Sequence, residues 1–214
     1  MDVVTTGDHA YRRAEGIQLM DREKELLRPA NYPESAAGRG HLVATARNGV
    51  EVGVVNVVGR VFLDPAECPF LTARGLVDRL KHRTPIVLVD MHAEATSEKI
   101  AMGWYLDGLA SAVFGTHTHV QTADEVVLPG GTGFISDLGM TGSHEGVLGR
   151  KVKPVLKKFT THMPAPFKES RGWPLAKGAL FTVEHDSGRC KAVERIVLGP
   201  ADSGPEKVGG GLRD

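Results

Sequence analysis

Short apolar runs recur along this chain, and three of them end in histidines or carboxylates. Residues 85–89 form an unbroken, largely β-branched run that is typical of a central parallel strand, and they lead into Asp90 and His92. Residues 112–114 lead into a glycine and a His-X-His motif, and residues 3–6 lead into a Gly-Asp-His motif. Because ligands bind beyond the carboxyl ends of strands in open α/β sheets, we expect these endings to share one site.

Segments with helical spacing of apolar residues separate these runs, so the pattern predicts an α/β fold. Asn48-Gly49 lies between two apolar segments and predicts a β-hairpin with a type I′ turn. Further elements complete the pattern: hairpins over 125–135 and 179–198, one or two surface helices over 12–27, and helices over 71–83, 94–104 and 152–159. From residue 199 onward there is little to bury, so we expect one domain over 1–198 and a disordered tail over 199–214.

Charge and cysteine content narrow the functional classes. Among the 214 residues, 26 Lys and Arg balance 26 Asp and Glu, so the formal net charge is zero. This balance argues against a stable nucleic-acid complex or a membrane-surface binder, either of which needs a basic excess or patch. Cys68 and Cys190 stand far apart and the N-terminus has no targeting pattern, so we expect a cytoplasmic protein. The sequence leaves a homo-oligomer open.

The residues at the strand ends have the chemistry of metal ligands. Asp8, His9, His92, His117 and His119 together offer nitrogen and oxygen donors, which suit borderline metals such as Zn, Fe, Mn or Co. Donors on loops at a sheet edge favour a catalytic metal with an open coordination position, and hence hydrolysis by a metal-activated hydroxide. Not every histidine need be a ligand, because one beside the metal can act as a general acid.

Four motifs and two shorter segments carry a family resemblance: Gly7-Asp8-His9, residues 90–99 (DMHAEATSEK), residues 115–124 (GTHTHVQTAD), residues 137–142 (DLGMTG), residues 28–33 (RPANYP) and residues 103–105 (GWY). Together they resemble the YmdB-type branch of the calcineurin-like metallophosphoesterases. The likeness extends to about residue 198, and the two longest motifs are highly specific.

This resemblance implies a four-layer α/β/β/α sandwich, a binuclear site holding Fe or Mn, and phosphodiesterase activity on 2′,3′-cyclic nucleotides. The implied partner is therefore a small phosphodiester or nucleotide substrate. By position, Asp8 takes a metal-ligand place and His9 the place of the proton donor. His92 and His117 would ligate one metal and His119 the other.

Two departures from the family pattern change the expectation. The family has asparagine where this chain has Asp8, and a carboxylate there adds a negative charge that holds a cation more tightly and repels phosphate. The family also begins with a βαβ segment that carries an Asp and a Glu-Asn pair, which this sequence lacks at its start. We therefore expect an N-terminally truncated domain that holds one metal well and the second poorly. A non-catalytic metal- or nucleotide-binding remnant and a mononuclear zinc hydrolase stay as alternatives.

Overall fold

A computed structural model describes residues 2–200 of the chain. These residues fall into two compact units. Among the described residues, the first unit contains those up to Leu138 together with Ala179–Arg195, and the second contains Gly139–Gly178 together with those from Ile196. One domain over residues 1–198 stays a prediction, and residues 201–214 of the predicted tail lie outside the described residues.

Helices and strands alternate along the chain, so the α/β prediction is confirmed. The elements are β1 Val4–Thr5, α1 Ala14–Arg22, β2 Leu26–Leu27, β3 His41–Thr45, β4 Glu51–Val58, α2 Pro69–Lys81, β5 Val87–His92, α3 Thr96–Tyr105, β6 Ala112–Thr116, β7 Val126–Val127, β8 Gly133–Ile135, β9 Gly142–Ser143, α4 Val152–Thr161, β10 Pro174–Val183 and β11 Cys190–Leu198. The four-layer sandwich stays a prediction.

A six-stranded mixed sheet is the centre of the first unit, with strand order β3-β4-β5-β6-β8-β7. Strands β4, β5, β6 and β8 run parallel, and the edge strands β3 and β7 are antiparallel to their neighbours. The register aligns Val58, His92 and Thr116 at the carboxyl ends of β4, β5 and β6. The strands therefore deliver consecutive loops to one edge of the sheet.

Both faces of this sheet are covered within the first unit. Val89, Val113, Val77 and Met102 belong to one buried apolar cluster that joins β5 and β6 to α2 and α3. On the other face, the ring of Phe114 lies 6.1 Å from that of Phe181 on β10. The central strands are buried on both sides, which explains why they read as continuous apolar runs.

Strand β1 does not join the main sheet but pairs in parallel with β2. Asn56, fully buried on β4, connects this small sheet to the large one because its side-chain amide donates to the Thr6 carbonyl at 2.7 Å and to the Leu27 carbonyl at 3.3 Å. The side chain of Thr5 is hydrogen-bonded to the carboxyl group of Asp90 on β5. These side-chain bonds hold the start of the chain beside the carboxyl ends of the parallel strands.

The β3–β4 hairpin is confirmed, but the predicted type I′ turn is wrong. Gly49 has a φ of 84°, whereas Asn48 does not have a positive φ, and a type I′ turn needs both. The Ala46 N–H donates to the Val50 carbonyl at 2.8 Å, which closes a loop of three residues. A three-residue loop places one residue in the left-handed region, and here that residue is glycine.

Two helical predictions are confirmed only in part. The segment 12–27 contains one helix, α1, and its last two residues form β2 instead. Helix α4 forms where its periodicity predicts, yet Val155 is its only buried residue, and the other apolar residues of its stripe, Val152, Leu156 and Phe159, are exposed. Among residues 2–200 no helix combines the length and the hydropathy that crossing a bilayer requires.

We expect the Asn56→Ala substitution to destabilise the chain, because it removes both amide bonds to the β1–β2 pair and leaves two carbonyls without that donor. The expected loss is about 1–3 kcal/mol in the free energy of unfolding, measured by urea denaturation. Gln18→Ala, at an exposed position of α1, is the control for loss of a side-chain amide and should change this free energy by less than about 0.5 kcal/mol. Equal effects of the two substitutions would contradict the linking role of Asn56.

Candidate metal centre

Three of the sequence-predicted residues meet at the edge of the sheet. Asp8, His92 and His117 each present one donor atom, and these three atoms lie within 4.8 Å of one another. Asp8 Oδ1 is 2.9 Å from His92 Nε2 and 3.5 Å from His117 Nδ1, and the two ring nitrogens are 3.1 Å apart. The structure thus brings together residues that are up to 109 positions apart in the chain.

The strand register explains this meeting. His92 ends β5 and pairs with Thr116, the last residue of β6, so His117 follows at the same edge. Asp8 comes from the loop after β1. Gly7 is required beside it, because a Cβ at position 7 would lie 2.0 Å from His92 Nε2 and would displace the ring.

The His92 nitrogen that faces away from the other two donors, Nδ1, takes part in a chain of hydrogen bonds. The Thr116 hydroxyl donates to Asp90 Oδ1 at 2.8 Å, so its oxygen accepts the proton of His92 Nδ1, 2.9 Å away. In the neutral ring the other nitrogen, Nε2, then carries a lone pair. That lone pair faces Asp8 and His117.

His117 is held in a comparable way by a different partner. Its Nε2 lies 2.9 Å from Glu94 Oε2, and a carboxylate oxygen is an acceptor, so Nε2 carries the proton of the neutral ring. The Nδ1 lone pair is therefore the one that faces His92 and Asp8. A carboxylate that bonds the outer nitrogen of an imidazole fixes both its tautomer and its orientation for a metal.

Three electron-pair donors thus converge with their protons turned outward. The lone pairs and the Asp8 charge repel one another unless a proton is shared between them, as in the hydrogen bond between His92 Nε2 and Asp8 Oδ1, or a cation binds between them. One carboxylate oxygen and two imidazole nitrogens are a donor set that Zn, Fe or Mn accepts. The residues therefore fit one divalent metal ion of borderline softness.

The pKa values of Asp8 and His92 are both lowered, which favours the forms of these two residues that bind a metal. Burial alone would raise the pKa of Asp8, but the hydrogen bond with His92 and the neighbouring histidines lower it below its usual value. Burial lowers the pKa of His92, against the opposing effect of its bond to Asp8. Burial also raises the pKa of Asp90 to about 6, although hydrogen bonds from Thr5 and Thr116 oppose the shift.

The loop that carries His117 has a strained backbone. His117 and His119 have φ values of 98° and 68°, a region that costs a non-glycine residue roughly 1–2 kcal/mol. Between them, Thr118 donates its backbone N–H to Asp137 Oδ2 at 3.1 Å and its hydroxyl to the same oxygen at 2.6 Å. Lys99 Nζ, fully buried, lies 2.7 Å from that oxygen. This buried ion pair fixes the loop and hence the direction of His117.

The remaining histidines lie outside the three-residue group. His9 Nδ1 is 3.4 Å from Asp8 Oδ2, and its side chain is 68% exposed. His119 is not a member of the group that the described residues form, so its assignment to a second metal stays a prediction. His41, on β3, contacts Arg79 instead, with its Nε2 2.7 Å from Arg79 Nη2.

The chain is similar to known proteins over nearly its whole length. The family model for the YmdB-like protein matches residues 1–196. The chain belongs to the YmdB-like family. The resemblance inferred from the motifs is thereby confirmed.

Relatives within this family carry phosphoesterase names. The chain is 44% identical over 197 residues to the 2′,3′-cyclic-nucleotide 2′-phosphodiesterase of Bacillus subtilis (strain 168), covering 92% of this chain and 74% of the relative. It is 30% identical over 203 residues to a putative phosphatase/phosphodiesterase of Mycoplasma pneumoniae, covering 92% and 71%.

Two solved structures have the same fold. A hypothetical protein from Thermus thermophilus superposes with a TM-score of 0.84 at 38% identity, covering 92% of this chain and 76% of that one. A novel phosphatase from Mycoplasma pneumoniae superposes with a TM-score of 0.83 at 29% identity, covering 92% and 72%. The α/β architecture described above is therefore shared with these two solved structures.

We expect the His117→Ala variant to lose bound metal, because it removes one of three converging donors. The measurement is elemental analysis after dialysis against Mn²⁺ or Zn²⁺, with calorimetric titration of the metal-free protein. Asp8→Asn keeps an oxygen donor but loses the charge, so it should bind more weakly than the wild type without losing binding altogether. His41→Ala is the control and should retain full metal content. Unchanged binding by His117→Ala would exclude it as a ligand.

We expect Lys99→Met to cost about 3–5 kcal/mol of unfolding free energy, because it leaves the buried Asp137 carboxylate without its cation. The exposed Lys81 at the end of α2 gives a matched control, and Lys81→Met should cost less than about 0.5 kcal/mol. Both values come from chemical denaturation. A small effect of Lys99→Met would show that the pair does not hold the loop.

Proposed function

We propose that this chain is a metal-dependent phosphodiesterase that acts on small nucleotides, with 2′,3′-cyclic nucleotides as the first candidates. The observation that carries the proposal is the convergence of Asp8 Oδ1, His92 Nε2 and His117 Nδ1 with their protons turned outward. Membership of the YmdB-like family and the phosphodiesterase name of the Bacillus subtilis relative support the same reaction.

In this proposal Asp8, His92 and His117 hold the metal ion. When bound, such an ion lowers the pKa of a coordinated water molecule and polarises phosphoryl oxygens, which is the chemistry that phosphodiester hydrolysis needs. Thr116, Asp90 and Glu94 keep the two imidazoles in the tautomers that leave their inner nitrogens free.

His9 is the proposed proton donor to the departing ribose oxygen. Its Nδ1 faces Asp8, so Nε2 is the nitrogen left to donate, and the exposed side chain lines an open cavity where a substrate can reach it. Protonation of a leaving oxygen by a positioned imidazole accelerates such a reaction about 10²–10⁴-fold.

The same proposal includes three further features that the family resemblance implies. They are iron or manganese as the metal, a second ion held with the help of His119, and the four-layer sandwich. The small phosphodiester substrate belongs there as well.

We expect the metal-loaded wild type to hydrolyse both adenosine 2′,3′-cyclic phosphate and bis-p-nitrophenyl phosphate. His9→Ala should keep its metal content but slow the cyclic nucleotide by about 10²-fold or more, because ribose is a poor leaving group. It should slow bis-p-nitrophenyl phosphate much less, because p-nitrophenolate leaves without a proton. Initial rates and elemental analysis on the same preparations measure both effects.

His185→Ala is the matched control, since His185 is also an exposed histidine beside an aspartate, with Nδ1 2.7 Å from Asp186 Oδ1. It should leave both rates unchanged. Loss of metal in His9→Ala would make His9 a ligand instead of a proton donor. A loaded wild type that hydrolyses neither compound would overturn the proposed function in favour of a non-catalytic binding protein, and activity with one zinc ion per chain would favour a mononuclear hydrolase.

A further inference from the structure

A cavity of about 750 Å³ opens directly beside the candidate metal centre. Its lining includes Asp8 and His9 together with Tyr11, Tyr32, Arg12 and Asp64. This volume is within the range of small-molecule sites, roughly 300–1,000 Å³. Because Asp8 belongs both to the group of converging donors and to the lining of this cavity, a phosphodiester bound at the donors would extend one substituent toward the cavity.

The cavity has an aromatic wall. The rings of Tyr11 and Tyr32 have centroids 6.0 Å apart and planes inclined at 35°, so they pack as a tilted pair. The Tyr11 hydroxyl donates to the Ala37 carbonyl at 2.5 Å, which fixes the first ring. Both tyrosines are only partly buried, so ring surface remains open to the cavity.

The backbone that carries Tyr32 is held firmly. The neighbouring Asn31 is completely buried, and its amide nitrogen donates to the carbonyls of Val58 at 2.8 Å and Glu67 at 2.9 Å. Its amide oxygen accepts from the Val58 N–H at 2.9 Å. The segment after β2 is thereby attached to the end of β4, which presents Tyr32 at a fixed place relative to the parallel strands.

Polar groups of both signs complete the wall. Arg12 and Asp64 are exposed side chains that line the same cavity, one a donor of several N–H groups and the other an acceptor. A nucleobase has a flat π-face and an edge with donors and acceptors, and it matches such a wall better than a simple alkyl substituent does.

We infer that this cavity is a nucleobase subsite, in which the base of the substrate stacks on Tyr32 with Tyr11 as its support. The inference rests on the proposed function and adds the substituent that the enzyme prefers on its phosphodiester. Tyr32 is then a specificity-determining residue, not a catalytic one. Stacking on a single aromatic side chain corresponds to roughly 5- to 150-fold in affinity.

The test compares two substrates that differ only in the base: adenosine 2′,3′-cyclic phosphate and methyl riboside 2′,3′-cyclic phosphate. For the wild type we expect kcat/KM to favour the adenosine compound about tenfold or more. Tyr32→Leu should bring the ratio close to one, whereas Tyr32→Phe, which keeps the ring, should preserve it. Trp104→Leu removes an exposed aromatic side chain that does not line the cavity and should leave the ratio unchanged.

A binding measurement separates this inference from the proposed function. Calorimetry gives the Kd of adenosine 3′-phosphate and of methyl riboside 3-phosphate for each variant, without any need for turnover. The wild type could hydrolyse neither cyclic compound and still bind adenosine 3′-phosphate more tightly, with this preference lost in Tyr32→Leu. That result would support the subsite and overturn the proposed reaction. If both cyclic compounds are hydrolysed and bound equally well, or if Tyr32→Leu keeps the preference, the subsite is overturned while the reaction stands.

Discussion

The outward hydrogen bonds of His92 and His117 are the interactions on which this site depends. One reaches Thr116 and, through it, Asp90, and the other reaches Glu94. They decide which nitrogen of each ring has a lone pair to offer, and both lone pairs point at Asp8. The rest of the fold can be understood as the support for these bonds, because Thr116 and Asp90 lie on adjacent parallel strands whose register is fixed by the buried core.

Much of the site could be predicted from the sequence because parallel strands end at one edge. An apolar run that stops at a histidine places that histidine at the edge, and this simple rule located His92 and His117 correctly. The rule is less secure for Asp8, since β1 is not a strand of the main sheet. Its position depends on the side chain of Asn56, and a hydrogen bond across 50 residues leaves no local pattern in a sequence.

The sequence motifs include other residues that support the site, but the motifs do not indicate which residues these contact. Lys99 lies on α3, and lysine on a helix usually indicates a solvent-exposed face, yet it is buried against Asp137. Asp137 lies in a glycine-rich loop whose spacing indicates no particular contact. Glu94 follows β5 in a position where a carboxylate is ordinary. Such pairings are decided by tertiary packing, so single-sequence patterns could predict the elements but not these contacts.

At His117 and His119, the left-handed backbone favours glycine, whereas the site needs an imidazole. Glycine would adopt these angles without steric strain, so selection for stability alone would favour glycine over histidine wherever this relief exceeds the greater conformational entropy that glycine loses on folding. We therefore expect histidine to be retained at these positions only while function requires an imidazole at the edge of the sheet. In the evolution of such proteins, a change from histidine to glycine in this loop would therefore be a readable sign that a lineage had abandoned the site.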